Sequence, residues 1–294
     1  EAHLLPIPQE EALPRLGELI RYHDAPVATI TYYVHSMLSE RISKSGYRVA
    51  FSGTSADELF TGYYDHFLLH LNELRGSADY EKALEGWRNH ILGFVRNPVL
   101  RNPRLYEESP GFRDHVYDNS SEFLKYLKID TLEPFVEEEY CFSLLRNRML
   151  NELMHESTPV ILHEDDLNSM LYSIENRSPF LDHDLFEFAY SIPSRHLIKD
   201  GYGKYILREA VKGILNDKVR LDRRKKGFNA SINSIIDLNN PDNRAYILDP
   251  KSKLYEIIDR KSIEAFCDMV DAPNHYSKFL FNVINARIFL DQQE

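Results

Sequence analysis

The 294-residue chain is 43% hydrophobic, 12% aromatic and 28% charged, ordinary proportions for a folded protein and far from disordered, collagen-like or disulfide-framework sequences. Its 46 Asp and Glu against 35 Lys and Arg leave a formal charge of −11, which argues against a broad phosphate-tracking surface and against nucleic acid as a partner. Two cysteines, Cys141 and Cys267, cannot build a disulfide framework or a CxxC site and suit a reducing cytoplasm, and no apolar run is long enough to span a membrane.

In chain order, Leu13, Leu16, Leu19 and Ile20 have helical spacing within residues 1–24, and Pro26 marks a break. A second helix is expected over Ala28 to Ser45, with Ser45-Gly46 as its stop. Tyr47 to Ser52 reads as a buried parallel strand because Val49, Ala50 and Phe51 are unbroken in apolarity. A tight turn at Gly53-Thr54 follows, and Ser55 with Glu58 fits the capping box of a helix N-terminus. This strand, turn and helix put the turn at the carboxyl end of a strand, where open α/β sheets place ligands.

Further helices are expected over Tyr80 to Val95, Leu132 to Leu153, Asp165 to Ser173, Asp184 to Ile192, Lys204 to Leu215 and Tyr276 to Phe289. Arg96 to Arg104 reads as a loop with two proline stops. No low-complexity linker divides the chain, so one body is expected, with residues 1–75 as its α/β part and 76–294 mostly helical. The fold class expected is mainly α with a small parallel sheet.

Four stretches carry groups that packing alone does not require. Ser52 to Glu58 offers hydroxyls, a glycine and acidic groups at a helix start, where free N–H groups meet anions and a carboxylate can share a Mg²⁺. Glu175 and Arg177 flank Asn176 and could pair or orient a substrate. Lys199 to Lys204 is a glycine-flanked turn that places Lys204 at a helix start, although it is not a Walker A loop. Lys218 to Lys226 holds six basic residues in nine, a local reversal of sign suited to a phosphate or pyrophosphate leaving group. His66 and His70 stand at i and i+4 beside Asp65, with no third metal ligand suggested.

Taken in order, FSGTSADELFTGYYDH, DDLNSMLYSIENRSPFLDH, GKYILREA and RRKKGF resemble the synthetase domain of glutamine-dependent asparagine synthetases over residues 26–228. The resemblance implies the C-terminal part of an adenine nucleotide α-hydrolase-like (ATP pyrophosphatase) domain. It also implies a reaction in which ATP adenylylates a small-molecule carboxylate, pyrophosphate leaves, and ammonia from a glutaminase domain forms an amide. By the same resemblance Asp57 helps hold Mg²⁺, and Ser52, Gly53, Thr54, Asp57, Glu58 and Arg177 line the substrate and ATP. Glu175, Lys204 and Lys225 are the catalytic candidates, and a homodimer is among the expected partners.

Three departures shape the expectation. The family's SGGxDSS loop and its glutaminase domain are absent from these 294 residues, so the chain is expected to be the back part of a synthetase domain, inactive by itself. Thr54 stands where SGEG motifs carry glutamate, and Leu167 where an arginine is usual. A sugar uronic acid thereby becomes an alternative to aspartate, and a catalytically silent binding module is the alternative from another class.

Overall fold

The computed structural model describes residues 4–117, 120–129, 135–227, 230–269 and 273–293. Phe228 of the basic block and the start of the helix expected from Leu132 lie outside the described residues. The described chain is mainly helical around a two-stranded parallel sheet, as the composition and periodicity imply.

Two apolar cores organise the helices. The first joins the two ends of the chain: Leu16, Leu19 and Ile20 of the helix Ala12–His23 and Tyr33 and Val34 of Ile30–Lys44 meet Phe281, Ile284 and Ile288 of the last helix, Asn274–Gln292. The second gathers Leu59 and Phe60, the helix Tyr64–Glu73, Leu84 and Trp87 of Tyr80–His90, and Leu145 and Met149 of Leu144–Met154. Burial of side chains this size, at about 1.5–3 kcal/mol each, is what offsets the entropy of ordering the chain. No helix among the described residues is long and apolar enough to cross a membrane.

Strand β1, Val49–Phe51, pairs in parallel with β2, Glu175–Arg177, in the register Val49 to Glu175, Ala50 to Asn176 and Phe51 to Arg177. The ladder continues through Ser52 N–H, which donates to the Arg177 carbonyl at 2.9 Å, and Glu175 N–H, which donates to that of Arg48 at 2.9 Å. Even-numbered residues of β1 therefore face β2, and the backbone groups of Val49 and Phe51 point to the other edge. The expected burial of this strand is corrected: Phe51 is 72% exposed, Tyr47 64% and Val49 39%. Apolarity marks a surface able to be covered, and among the described residues only β2 lies alongside it.

Other boundaries shift for identifiable reasons. The helix expected from Leu132 begins at Leu144, because Asn147 and Asn151 accept the N–H groups of Tyr140 and Glu138 at 2.7 and 2.8 Å. Those bonds hold 138–140 as non-helical chain alongside the helix, and Ser143 caps its start. The short helix expected at Asp165 is the end of a longer one, Ser157–Leu171, whose first turn tolerates Pro159. The Lys204 helix stops at Ala210, ahead of Gly213 at φ 80°, so Ile214 is left exposed. The helix Tyr80–His90 passes into a 3₁₀ turn, Leu92–Phe94, short of Val95.

A buried charge network ties the helix Tyr64–Glu73 to Leu144–Met154. His66 Nε2 lies 2.8 Å from Glu152, and Arg148 lies 3.1 Å from Glu152, 2.8 Å from Glu137 and 2.6 Å from Glu156. Burial alone would lower the His66 pKa, but Glu152 and Asp65 outweigh it and raise it. Asp65, His66 and Glu152 bring three ligand atoms within 4.8 Å of one another, so a third partner unseen in the sequence does exist and His70 is not part of the group. Arg148 supplies positive charge there, 3.7 Å from Asp65 as well as beside Glu152.

Candidate functional site

The site is built where β1 ends. The turn Gly53-Thr54-Ser55 leads into the short helix Ala56–Phe60, with Ser55 in the left-handed region at φ 69°. That conformation turns its hydroxyl away from the helix N-terminus, and Ser55 Oγ pairs with Thr158 Oγ1 at 2.9 Å. Glu58, itself buried, accepts the Tyr63 hydroxyl. The expected capping box is thus corrected: neither of its two side chains caps this helix.

Asp57 stands in the first helical turn, and two lysines converge on it from later in the chain. Lys204 Nζ lies 2.5 Å from Asp57 Oδ1, and Lys225 Nζ lies 3.5 Å from Oδ2. Burial would raise the Asp57 carboxyl, but Lys225 and Lys204 outweigh it and hold it below the usual carboxylate value. The backbone places Lys204: its N–H donates to the Phe60 carbonyl at 3.0 Å, and that of Tyr205 to the Leu197 carbonyl at 2.8 Å. The preceding turn is a tight hairpin in which Asp200 and Gly201 both take positive φ, 50° and 72°, the conformation that favours an Asp-Gly pair.

Arg208 joins the two basic segments. Its Nε donates to the Gly203 carbonyl at 2.8 Å and its Nη1 to the Arg220 carbonyl, which draws the 217–226 segment against the Lys204 turn. Arg223 lies 3.8 Å over the Tyr202 ring, and its buried Nε has no hydrogen-bond partner in the described structure. Together these segments line an open cavity of about 260 Å³ whose walls include Lys204, Arg208, Lys218, Arg223, Arg224, Lys225 and Lys226 against two acids, Asp57 and Asp222. In a chain of charge −11 this is a concentrated cationic cavity, and its chemistry is that of a polyanion cradle.

The remaining expected residues separate into two groups. Ser52 Oγ lies 2.9 Å from Thr54 Oγ1 and 3.1 Å from Ser178 Oγ, so three hydroxyls meet at the carboxyl ends of the two strands. A Cβ on Gly53 would meet nothing within 4 Å, which leaves the backbone open to an approaching group. Glu175 and Arg177 lie on β2, exposed and paired with each other at 2.8 Å, the pair lowering the carboxyl and raising the guanidinium. Among the described residues neither bonds to Asp57, Lys204 or Lys225, whereas those three form one cluster.

Tyr63, Ser178 and Arg208 were not singled out by the sequence. All three sit inside the ordered blocks, but spacing gives no sign that Tyr63 meets Lys225 or that Ser178 meets Ser52.

Known proteins with similar sequences include asparagine synthetases and an amidase. The chain is 26% identical over 249 residues to asparagine synthetase [glutamine-hydrolyzing] 1 of Bacillus subtilis (strain 168), covering 76% of this chain and 37% of that protein. It is 27% identical over 242 residues to a putative asparagine synthetase [glutamine-hydrolyzing] of Mycobacterium tuberculosis (strain ATCC 25618 / H37Rv), covering 74% and 35%. It is also 22% identical over 253 residues to amidase chry2 of Gibberella zeae, covering 74% and 37%. The chain thus spans little more than a third of the length of these relatives. The family model described as asparagine synthase matches residues 1–289, and the chain belongs to the asparagine synthase family.

Proposed function

We propose that this chain forms the part of an ATP-dependent, amide-forming ligase that holds the leaving pyrophosphate while a carboxylate is activated. The observation that carries this reading is the single cluster of Asp57, Lys204 and Lys225 at the head of a cationic cavity beside the carboxyl end of β1. In the proposed reaction a substrate carboxylate oxygen attacks the α-phosphorus of ATP, and the bond to the β-phosphate oxygen breaks. The charge that develops on the leaving pyrophosphate is met by the ammonium groups of Lys204 and Lys225, fixed in place before the reaction begins. Ammonia from a glutaminase domain then attacks the activated carbonyl carbon, and AMP leaves.

Asp57 suits a Mg²⁺ carried mainly by phosphate oxygens, because it offers a hard oxygen donor at the head of the cradle, and the ion would neutralise charge on the pyrophosphate. Asp57 also holds both lysines at one point. Ser52, Gly53 and Thr54 would face the nucleotide or the acyl group from the strand ends. Glu58, buried against Tyr63, would act from behind. The exposed pair Glu175 and Arg177 would face the acyl-adenylate from β2.

Aspartate is the first acid to consider and a sugar uronate the second. The second is favoured by the neutral hydroxyl cluster of Ser52, Thr54 and Ser178, which can exchange hydrogen bonds with a polyhydroxylated substrate. The test is carboxylate-dependent ATP–pyrophosphate exchange by the protein that carries this chain, run with aspartate and with a panel of uronates. Exchange with one acid class names the substrate. Binding of ATP without exchange for any acid would remove the ligase reading and leave a binding module.

A further inference from the structure

We infer that Tyr63 is a positioning residue whose ring is the seat of the Lys225 ammonium group. Lys225 Nζ stands 3.4 Å from the centroid of the Tyr63 ring, while its nearest Asp57 oxygen is 3.5 Å away. Asp57 gives its closer contact, 2.5 Å, to Lys204. Two ammonium groups leaning on one carboxylate repel each other, so the second needs an attraction of its own to stay in place. The face of an aromatic ring provides it through the ring quadrupole.

The chemistry of the seat matters because of what it leaves intact. Asp57 already takes part of the Lys225 charge; a second carboxylate in place of the ring would take more and repel an incoming polyphosphate, and an aliphatic side chain would offer no attraction. A ring holds the cation without adding negative charge.

The ring is itself fixed at both ends of its own environment. The Tyr63 hydroxyl donates to Glu58, a buried carboxylate, and the ring packs edge-on against His66 with centroids 5.2 Å apart. Tyr63 thereby links the cavity to the buried charge network through His66, whose Nε2 is 2.8 Å from Glu152. The seat geometry stands independently, while its use toward pyrophosphate rests on the proposed function.

The test combines a spectroscopic signature with a binding measurement on this 294-residue chain. With lysine labelled at the ε-carbon, and Lys225→Arg used to assign its signal, the ε-methylene protons of Lys225 are expected upfield of other lysines because of the ring current. That displacement is expected to persist in Tyr63→Phe and to vanish in Tyr63→Leu. In calorimetric titration with magnesium pyrophosphate, Tyr63→Phe should bind within about twofold of the parent chain and Tyr63→Leu about five- to thirtyfold more weakly. An unshifted Lys225 signal in the parent chain, or one unmoved in Tyr63→Leu, overturns the proposal. So does equal pyrophosphate affinity in the parent chain and Tyr63→Leu. If the parent chain binds no pyrophosphate while the lysine signal behaves as stated, the seat stands and the pyrophosphate reading falls. Tyr63→Phe keeps the size of the ring, so a folding failure of Tyr63→Leu leaves the parent signal and the Phe variant to decide.

Discussion

Asp57 and Gly62 occupy the same small volume: a Cβ placed on residue 62 would stand 1.6 Å from Asp57 Oδ1 and 2.2 Å from its carboxyl carbon. Glycine at 62 is therefore demanded by the carboxylate beside it. Gly62→Ala is expected to displace Asp57 from both lysines. Because a misplacement of about 1 Å can cost roughly a hundredfold in rate, ATP–pyrophosphate exchange by the protein that carries this chain should fall by about that factor. Wild-type exchange rates in Gly62→Ala would show that Asp57 is not used where it stands.

Arg148 binds the acidic side chains of Glu137, Glu152 and Glu156 while only 3% exposed. Removing the cation takes one partner from each of three carboxylates, of which Glu137 keeps Arg113 and Glu152 keeps His66, so Arg148→Met should cost about 3 kcal/mol in urea unfolding. Glu175→Gln breaks an ion pair that lies in solvent, and its unfolding midpoint should match the parent's. Equal stability of Arg148→Met and the parent chain would contradict the assigned role of the network.

His66 predicts the direction of a pH dependence. Its pKa is raised above 6.5 in the folded chain by Glu152 and Asp65, against the effect of burial. Its contribution to stability is then fully present below the unfolded value of 6.5 and is lost as pH climbs through the raised folded value. Glu152, raised mainly by burial, acts in the same direction at lower pH, from its unfolded value upward. Unfolding measured from about pH 6 to pH 9 should show stability declining with pH, and His66→Asn should flatten the slope. A parent chain whose stability rises over this range would refute the assignment.

The open edge of β1 predicts how the chain behaves in solution. Tyr47, Val49 and Phe51 place exposed apolar groups beside backbone positions that β2 does not pair. Such an edge recruits further strands or other molecules. Sedimentation of this 294-residue chain should reveal concentration-dependent association, reduced by Phe51→Lys. Association of equal strength in both forms would place the contact elsewhere.

Particular residues show how far the sequence could be read. Asp57, Lys204 and Lys225 were each marked by a local signal: an acid at a helix start, a lysine after a glycine turn, a run of basic residues. Their convergence follows from backbone bonds between Lys204 and Phe60 and from the Arg208 bridge, which no local pattern encodes. Ser55 and Glu58 match the capping pattern, yet a positive φ at Ser55 and a tyrosine partner for Glu58 redirect both side chains. Tyr63 reads as one more aromatic beside an apolar helix until Lys225 is found on its face.

Periodicity and composition determined the helical character, the position of β1, the turn after it, and the order of the chemical blocks, because these depend on neighbours within a few residues. The tertiary structure decided which charges meet, since Asp57, Lys204 and Lys225 are separated by long stretches of chain that local patterns cannot fold together. It also decided that the most apolar strand lies open, because burial is a property of what packs against a segment as well as of the segment itself.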